Sequence, residues 1–236
     1  MTRHINLPTN TQEDHKIYTS IEWTETAYFD AVIEYLKDNN IKSFVDIGGC
    51  TGEVSNIILD KISTIEYGLV FEPYPDNYEY IIKNVNLDKI KVENKAVFYG
   101  KDSILLSNRQ NNVGSWSFLF SEDYPETSLE VECVDLDFYL REHIYDFIKI
   151  DIEGAEYNVI ENSKLLKEVG FIELELHHEH FQIYAEQNPE KNIKKYKYAI
   201  DFVLDHLPNH ELHYFLCGSD VKNEQVNPGN VFLIKN

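Results

Sequence analysis

The stretch "FVDIGGCTGEV", Phe44 to Val54, passes from a strand-like run into a helix-like one through Gly48, Gly49 and Gly52. Glycine lets a backbone approach a ligand without a Cβ clash, and the N-terminus of the following helix presents free N–H groups. Such a turn suits a nucleotide-like ligand, and equally suits plain strand-to-helix packing. Outward from it, strand signals recur in "SFVDI" (43–47), "YGLVFE" (67–72), "KVENKAV" (91–97), "DFIKIDI" (146–152) and "FIELELH" (171–177), with amphipathic segments between them. Short strands apolar on both faces, alternating with helices, predict βαβ units and a parallel sheet covered by helices.

Helical spacing is clearest in three places. Residues 24–40 repeat Tyr28, Val32, Tyr35 and Leu36; residues 73–86 align Tyr78, Ile81, Ile82 and Val85; residues 154–170 align Val159, Ile160 and Leu166 before a stop at Gly170. Residues 98–145 break the rhythm with short β segments and polar turns, a β-rich insertion near one sheet edge. A helix over 192–207 then leads to "HELHYFLC" and "NVFLIKN", which predict a closing antiparallel hairpin. The whole, 1–236, reads as one domain, with 1–22 as an N-terminal extension.

A hydrophobic fraction of 43% with 13% aromatics suits a folded protein, and no apolar run approaches the roughly 18 residues of a membrane span. The first twenty residues lack the apolar stretch of a signal peptide, which predicts a cytoplasmic location. Cys50, Cys133 and Cys217 are widely separated and odd in number, so neither a disulfide framework nor a C-x-x-C metal site is expected. A formal net charge of −20 argues against nucleic acid as a partner, because that affinity rests on Lys and Arg neutralising phosphates. A small-molecule or glycan acceptor is expected instead, and oligomeric state is left open.

Glu72 ends the second strand about twenty residues after the last glycine, where a carboxylate can accept both ribose hydroxyls of a nucleoside; Pro73 and Pro75 hold the turn extended. Asp46 precedes the glycines and would repel a pyrophosphate while attracting an amino group or a sulfonium, which favours S-adenosylmethionine over a dinucleotide. The backbone around Lys95, Ala96 and Val97 is where an adenine edge would be read. The rival, a nicotinamide-dependent oxidoreductase on the same sheet, would need the G-x-G-x-x-G spacing that "DIGGCTGE" lacks.

Lys149 and Asp151 interrupt the apolar fourth strand, where each charge costs several kcal/mol unless paired or used. Asp151 should face the same crevice as Asp46 and Glu72 and could accept a proton, bind a divalent cation or anchor the acceptor, while Lys149 on the same strand face keeps it ionised or simply pairs with it. Glu153 and Glu156 open the next helix, as capping acids or as catalytic ones. The fifth strand ends in "ELELHHEHF", placing Glu173, Glu175 and His177 on one face. Asp151, Glu175 and His177 together have the ligand types for Mg²⁺, Mn²⁺ or Zn²⁺, and His177 as proton acceptor is the competing use. Ser115 and Trp116 line an acceptor pocket or, for the tryptophan, fill the core.

The ordered set "FVDIGGCTGEVS", "VFEPYPDNYEYI", "VENKAV", "VDLDFYL", "DFIKIDIEGAEYNVI" and "IELELHH" resembles the FkbM family of S-adenosylmethionine-dependent methyltransferases, from about residue 40 to 180. The resemblance implies a class I methyltransferase fold, a Rossmann-like α/β three-layer sandwich whose mostly parallel seven-stranded sheet has an antiparallel last strand. It also implies O-methylation of a hydroxyl on a sugar or glycosylated metabolite. Asp46, Gly48, Gly52 and Glu72, with Gly49, Ala96 and Asp151 beside them, would hold the cofactor; Lys149, Asp151, Glu153 and Gly154, with His177 near, would stand at the reaction centre. Where the family has a small residue and then Asn after its first glycine, this chain has Gly49 and Cys50. A catalytically silent module that keeps the cofactor fold is the remaining alternative.

Overall fold

Strand β1, Ser43–Ile47, is buried along its whole length, and the rest of the chain is arranged on either side of it. The computed structural model describes residues 25–108, 116–119, 128–217 and 228–236. In chain order its elements are α1 (Glu25–Asp38), β1, α2 (Glu53–Lys61), β2 (Tyr67–Phe71), α3 (Pro75–Asn84) and β3 (Ile90–Glu93); then the short β4 (Ala96–Val97), β5 (Ser103–Asn108), β6 (Trp116–Ser117) and β7 (Leu129–Val134) with α4 (Leu136–Leu140). They are followed by β8 (Phe147–Ile150), α5 (Glu156–Asn162), β9 (Phe171–Glu175), α6 (His178–Gln187), α7 (Ala199–His206), β10 (His210–Cys217) and β11 (Pro228–Lys235).

A seven-stranded sheet runs in the order β10-β11-β9-β8-β1-β2-β3. Strands β3, β2, β1, β8 and β9 are parallel, and β11 inserts antiparallel to both β9 and β10, as the closing hairpin requires. The two-residue period of the strands divides the core between two faces. Val45, Leu69, Ile148, Ile172 and Val231 pack with α4 to α7 on one side. Phe44, Val70, Phe147 and Phe232 pack with α1, α2 and α3 on the other. The chain is therefore an α/β three-layer sandwich. Among the described residues no helix is long and apolar enough to cross a membrane.

Three segments differ from the pattern read in the sequence. The run 91–97 is two strands in two sheets: the Asn94 side chain donates to the carbonyls of Glu72 and Pro73, and beyond it Ala96 pairs with Cys133 of β7. The helix expected over 154–170 stops at Asn162, because the Asp137 carboxylate accepts from Ser163 Oγ (2.6 Å) and from the N–H of Lys164 (3.0 Å), drawing that turn out of the helix. The helix expected over 192–207 starts only at Ala199, after a left-handed Asn192 and an extended Tyr198. The β-rich segment forms a second sheet, β4-β7-β5-β6, whose Phe98, Ile104, Leu106 and Val131 pack with Ala155 beyond the end of β8. Residues 1–22 and Ser115 lie outside the described residues. Among the described residues Cys50 and Cys133 form no disulfide.

At the amino ends of β1 and β8, Asp146 Oδ2 accepts from the N–H of Lys42 (2.7 Å), the N–H of Ser43 (2.9 Å) and Ser43 Oγ (3.1 Å). Hydrogen bonds to a carboxylate contribute more than neutral ones. Asp146→Ala is expected to lower the unfolding free energy in urea by about 2 kcal/mol; an unchanged midpoint and slope would show that the clasp contributes nothing.

Candidate active site

The carboxyl ends of β1, β2 and β8 are stitched together by backbone. The N–H groups of Gly48 and Gly49 both donate to the Phe71 carbonyl at 3.0 Å, and the Asp151 N–H donates to the Ile47 carbonyl at 3.0 Å. Gly48 has φ +87°, and a Cβ there would stand 1.9 Å from the Asp151 carbonyl oxygen, so only glycine lets the turn pass this close. The next turn residue but one, Cys50, is also left-handed, with φ 47° and no glycine to ease it. Its N–H donates to Glu72 Oε2 at 2.7 Å, while the Tyr74 N–H donates to Glu72 Oε1 at 2.8 Å. The backbone thus fixes Glu72 from both sides, and burial pushes its pKa up to about 7 against those two bonds and one from Asn77.

Glu72 faces a cavity shared with Gly48, Pro73, Lys95, Ala96 and Val97. Asp151, Ile152 and Glu153 line it as well, and its apolar lining comes from Phe71, from Ile104 and Leu106 of β5, and from Phe118 just after β6. Of the residues expected at the cofactor, Gly48, Glu72, Ala96 and Asp151 line this cavity. Asp46, Gly49 and Gly52 stand behind it. Asp46 is fully buried, with Oδ2 accepting from Ser55 Oγ at 2.7 Å and Oδ1 without a hydrogen-bond partner among the described residues. Gly49 is a packing glycine, since a Cβ would meet Val70 at 2.4 Å, and Gly52 caps α2. The apolar wall was the part sequence reading missed; Ile104 and Leu106 do share a strand face, but nothing in their spacing says what that face covers.

Lys149 Nζ lies 3.0 Å from Asp151 Oδ2, and its register neighbours are Asp46 on β1 and Glu173 on β9. Burial works against this ammonium, but the charges of Asp151, Asp46 and Glu173 outweigh it and raise its pKa. Burial likewise works against the Asp151 carboxylate, and the charge and hydrogen bond of Lys149, helped by a hydrogen bond with Glu175 and by His177, hold it below its usual value. Glu173, fully enclosed, is pushed up to about 8, chiefly by burial. With Glu173 largely neutral at pH 7, Lys149 and Asp151 are the pair that stays charged.

The two acids after β8 separate by role. Glu156 is fully buried and accepts from the N–H of Ile152 (2.9 Å) and Gly154 (2.8 Å), tying down the loop it follows; Glu153, half-buried with φ 51°, lines the cavity. Burial raises both to about 7. His177 Nε2 lies 3.4 Å from Glu175 Oε1 and 3.7 Å from Glu153 Oε2. Burial lowers His177, but the hydrogen bond of Glu175 and the charges of Glu156 and Glu153 prevail and raise it to about 9. Sequence reading grouped Asp151, Glu175 and His177 as ligand types; among the described residues, the ligand atoms of Glu153, His177 and His180 all lie within 4.8 Å of one another. The signal for His180 was its i, i+3 spacing from His177 at the start of α6.

A family model described as the methyltransferase FkbM domain matches residues 46–215. No curated protein matches the chain. Among solved structures, methyltransferase FkbM from Methylobacillus flagellatus KT aligns at 14% identity and a TM-score of 0.48, over 83% of this chain and 44% of that one, so this chain spans less than half that protein's length. Trm1 from Pyrococcus horikoshii, solved with S-adenosyl-L-methionine, aligns at 13% identity and a TM-score of 0.46 over 90% of this chain and 55% of that one. The methyltransferase domain of bacterial CtHen1 aligns at 12% identity and a TM-score of 0.47 over 88% of this chain and 96% of that one.

Removing one partner of a buried ion pair leaves an uncompensated charge. Lys149→Met is therefore expected to destabilise the fold by about 3 kcal/mol at neutral pH, read by chemical unfolding; a variant as stable as the parent would mean that the surrounding carboxyls do not depend on the ammonium.

Proposed function

The chain belongs to the FkbM family of S-adenosylmethionine-dependent methyltransferases, and we propose that it methylates a hydroxyl of a small, sugar-containing acceptor. The observation that supports this reading is that Glu72 and Asp151 line one cavity: a carboxylate fixed by backbone N–H groups as a ribose would need, and a second carboxylate kept ionised by Lys149.

The residues present fit the cofactor. Each Glu72 oxygen takes one backbone N–H, and with the bond from Asn77 the carboxylate still has accepting capacity left for the ribose. Lys95 to Val97 line the cavity together with Phe71, Leu106 and Phe118, a mixture of peptide groups and apolar surface that suits a purine. Adenosylmethionine, when bound, supplies an electrophilic methyl group on a positively charged sulfur, which the surrounding carboxylates favour.

Asp151, kept ionised by Lys149, would accept the hydrogen bond of the acceptor hydroxyl and take up its proton. So weak a base passes that proton on to water. His177, charged at neutral pH, does not serve as this acceptor; it donates toward Glu175 and Glu153 and holds them at the rim. Those carboxylates offer hydrogen-bond acceptors to further hydroxyls, which supports a polyol or sugar acceptor. The net charge of −20 supports a small molecule over a nucleic acid.

Calorimetry with S-adenosylhomocysteine tests the reading. The parent chain should bind it, and Glu72→Gln should weaken binding by about 30-fold, the loss of one to two hydrogen bonds to a charged group. Failure of the parent to bind sinks the proposal. The sign of the pH dependence also follows. Glu72 carries a proton below about 7 and must lose it to accept two hydroxyls, so affinity rises with pH. Between pH 6 and pH 8 the ionised fraction grows from about one tenth to about nine tenths, so affinity should rise about tenfold in the parent and stay flat in Glu72→Gln.

A further inference from the structure

We propose that Glu153, His177 and His180 bind a divalent transition-metal ion at the rim of the cavity. Two ligands about 2.1 Å from a tetrahedral metal stand about 3.4 Å from each other. His177 Nε2 is 3.7 Å from Glu153 Oε2 and 3.4 Å from Glu175 Oε1, and the ligand atoms of Glu153, His177 and His180 fall within 4.8 Å of one another. Bringing the Glu153, His177 and His180 ligand atoms to that spacing takes a contraction of at most about 1.4 Å.

The positions are held by independent contacts. Glu153 keeps its left-handed backbone because Glu156 grips the N–H groups on either side of it and Ser117 Oγ donates to its carbonyl at 2.6 Å. Backbone outliers maintained in this way concentrate at ligand sites. Gly154 brings the loop against His180, whose Cβ would lie 3.2 Å from any Cβ added there. The His177 carbonyl accepts from Tyr157 Oη (2.9 Å) and from the Phe181 N–H (3.0 Å), which fixes the start of α6 and so the imidazole one turn further on. Behind the ring, His177 Nδ1 is 4.0 Å from Glu156 Oε1, a buried carboxylate in the outer position where metal-bound histidines find their orienting partner.

Two imidazoles and one carboxylate favour Co²⁺, Ni²⁺, Zn²⁺ or Fe²⁺ over Mg²⁺ and Ca²⁺, which prefer all-oxygen sites. An ion there takes the place of the proton His177 otherwise carries. Because Glu153 also lines the cavity, an ion held there would be available to hydroxyl oxygens of the acceptor; that use rests on the methyl-transfer reading, whereas metal binding does not.

The test is titration of Co²⁺ into the EDTA-stripped full chain, followed by calorimetry and by the visible d–d absorption. One ion per chain is expected, weakened about tenfold or more by His180→Ala and by Glu153→Gln, each shown by circular dichroism to be folded, with Mg²⁺ at least about tenfold weaker. No Co²⁺ bound by the parent, undiminished binding in folded His180→Ala, or Mg²⁺ bound as tightly as Co²⁺ would each overturn the site. A parallel titration with S-adenosylhomocysteine separates the two readings, since a chain that binds the nucleoside and not the metal loses this site alone.

Discussion

The buried Lys149 ammonium is the contact on which the arrangement of the site depends, because it draws carboxyl groups from β1, β8 and β9 to the same end of the sheet. In an all-apolar sheet those strand ends would be tied by backbone alone. Here the cation gives Asp151 a fixed place and a fixed charge, and it lets Asp46 and Glu173 remain enclosed on the α1 and α2 side of the sheet. Neither acid would be tolerated there without it. The energetic cost of burying this group is spread over three strands, and what it secures is a carboxylate held at the mouth of a cavity.

Around that pair, burial acts as a buffer of charge. It lifts Glu72, Glu153 and Glu156 to about 7 and Glu173 to about 8. In a chain with 41 acidic and 21 basic residues, these shifts keep the pocket from carrying the full negative charge its composition suggests. A cationic ligand entering the pocket displaces protons from such groups and meets carboxylates only as it arrives.

How much of this was legible in the sequence depended on whether the cause was local. Strand β1 was readable to the residue, because "SFVDI" is apolar on both faces and ends at a glycine that has no alternative. Glu72 and Asp151 were readable as acids at strand ends of a parallel sheet, where ligands collect. The failures were non-local. Nothing in "SKLLKE" announces that Asp137, 26 residues earlier, takes the Ser163 hydroxyl and halts the helix. Nothing in "KVENKAV" announces that Asn94 fastens to the Glu72 carbonyl and sends Ala96 into another sheet. The apolar wall of Ile104, Leu106 and Phe118 was invisible for the same reason, since what a strand face covers is set by distant chain.

The clasp between Ser43 and Asp146 joins residues 103 positions apart, and it stands at the foot of the β1–β8 pairing. Long loops close slowly, and parallel strands far apart in sequence pair late. During synthesis β1, β2 and β3 can assemble as a nascent sheet while one edge of β1 stays open until β8 has left the ribosome. Gly48 and Glu72 belong to the early half, Asp151 and His177 to the late one. The pocket is thus a seam, and a chain halted before β8 emerges would carry half of its lining beside an unpaired strand edge.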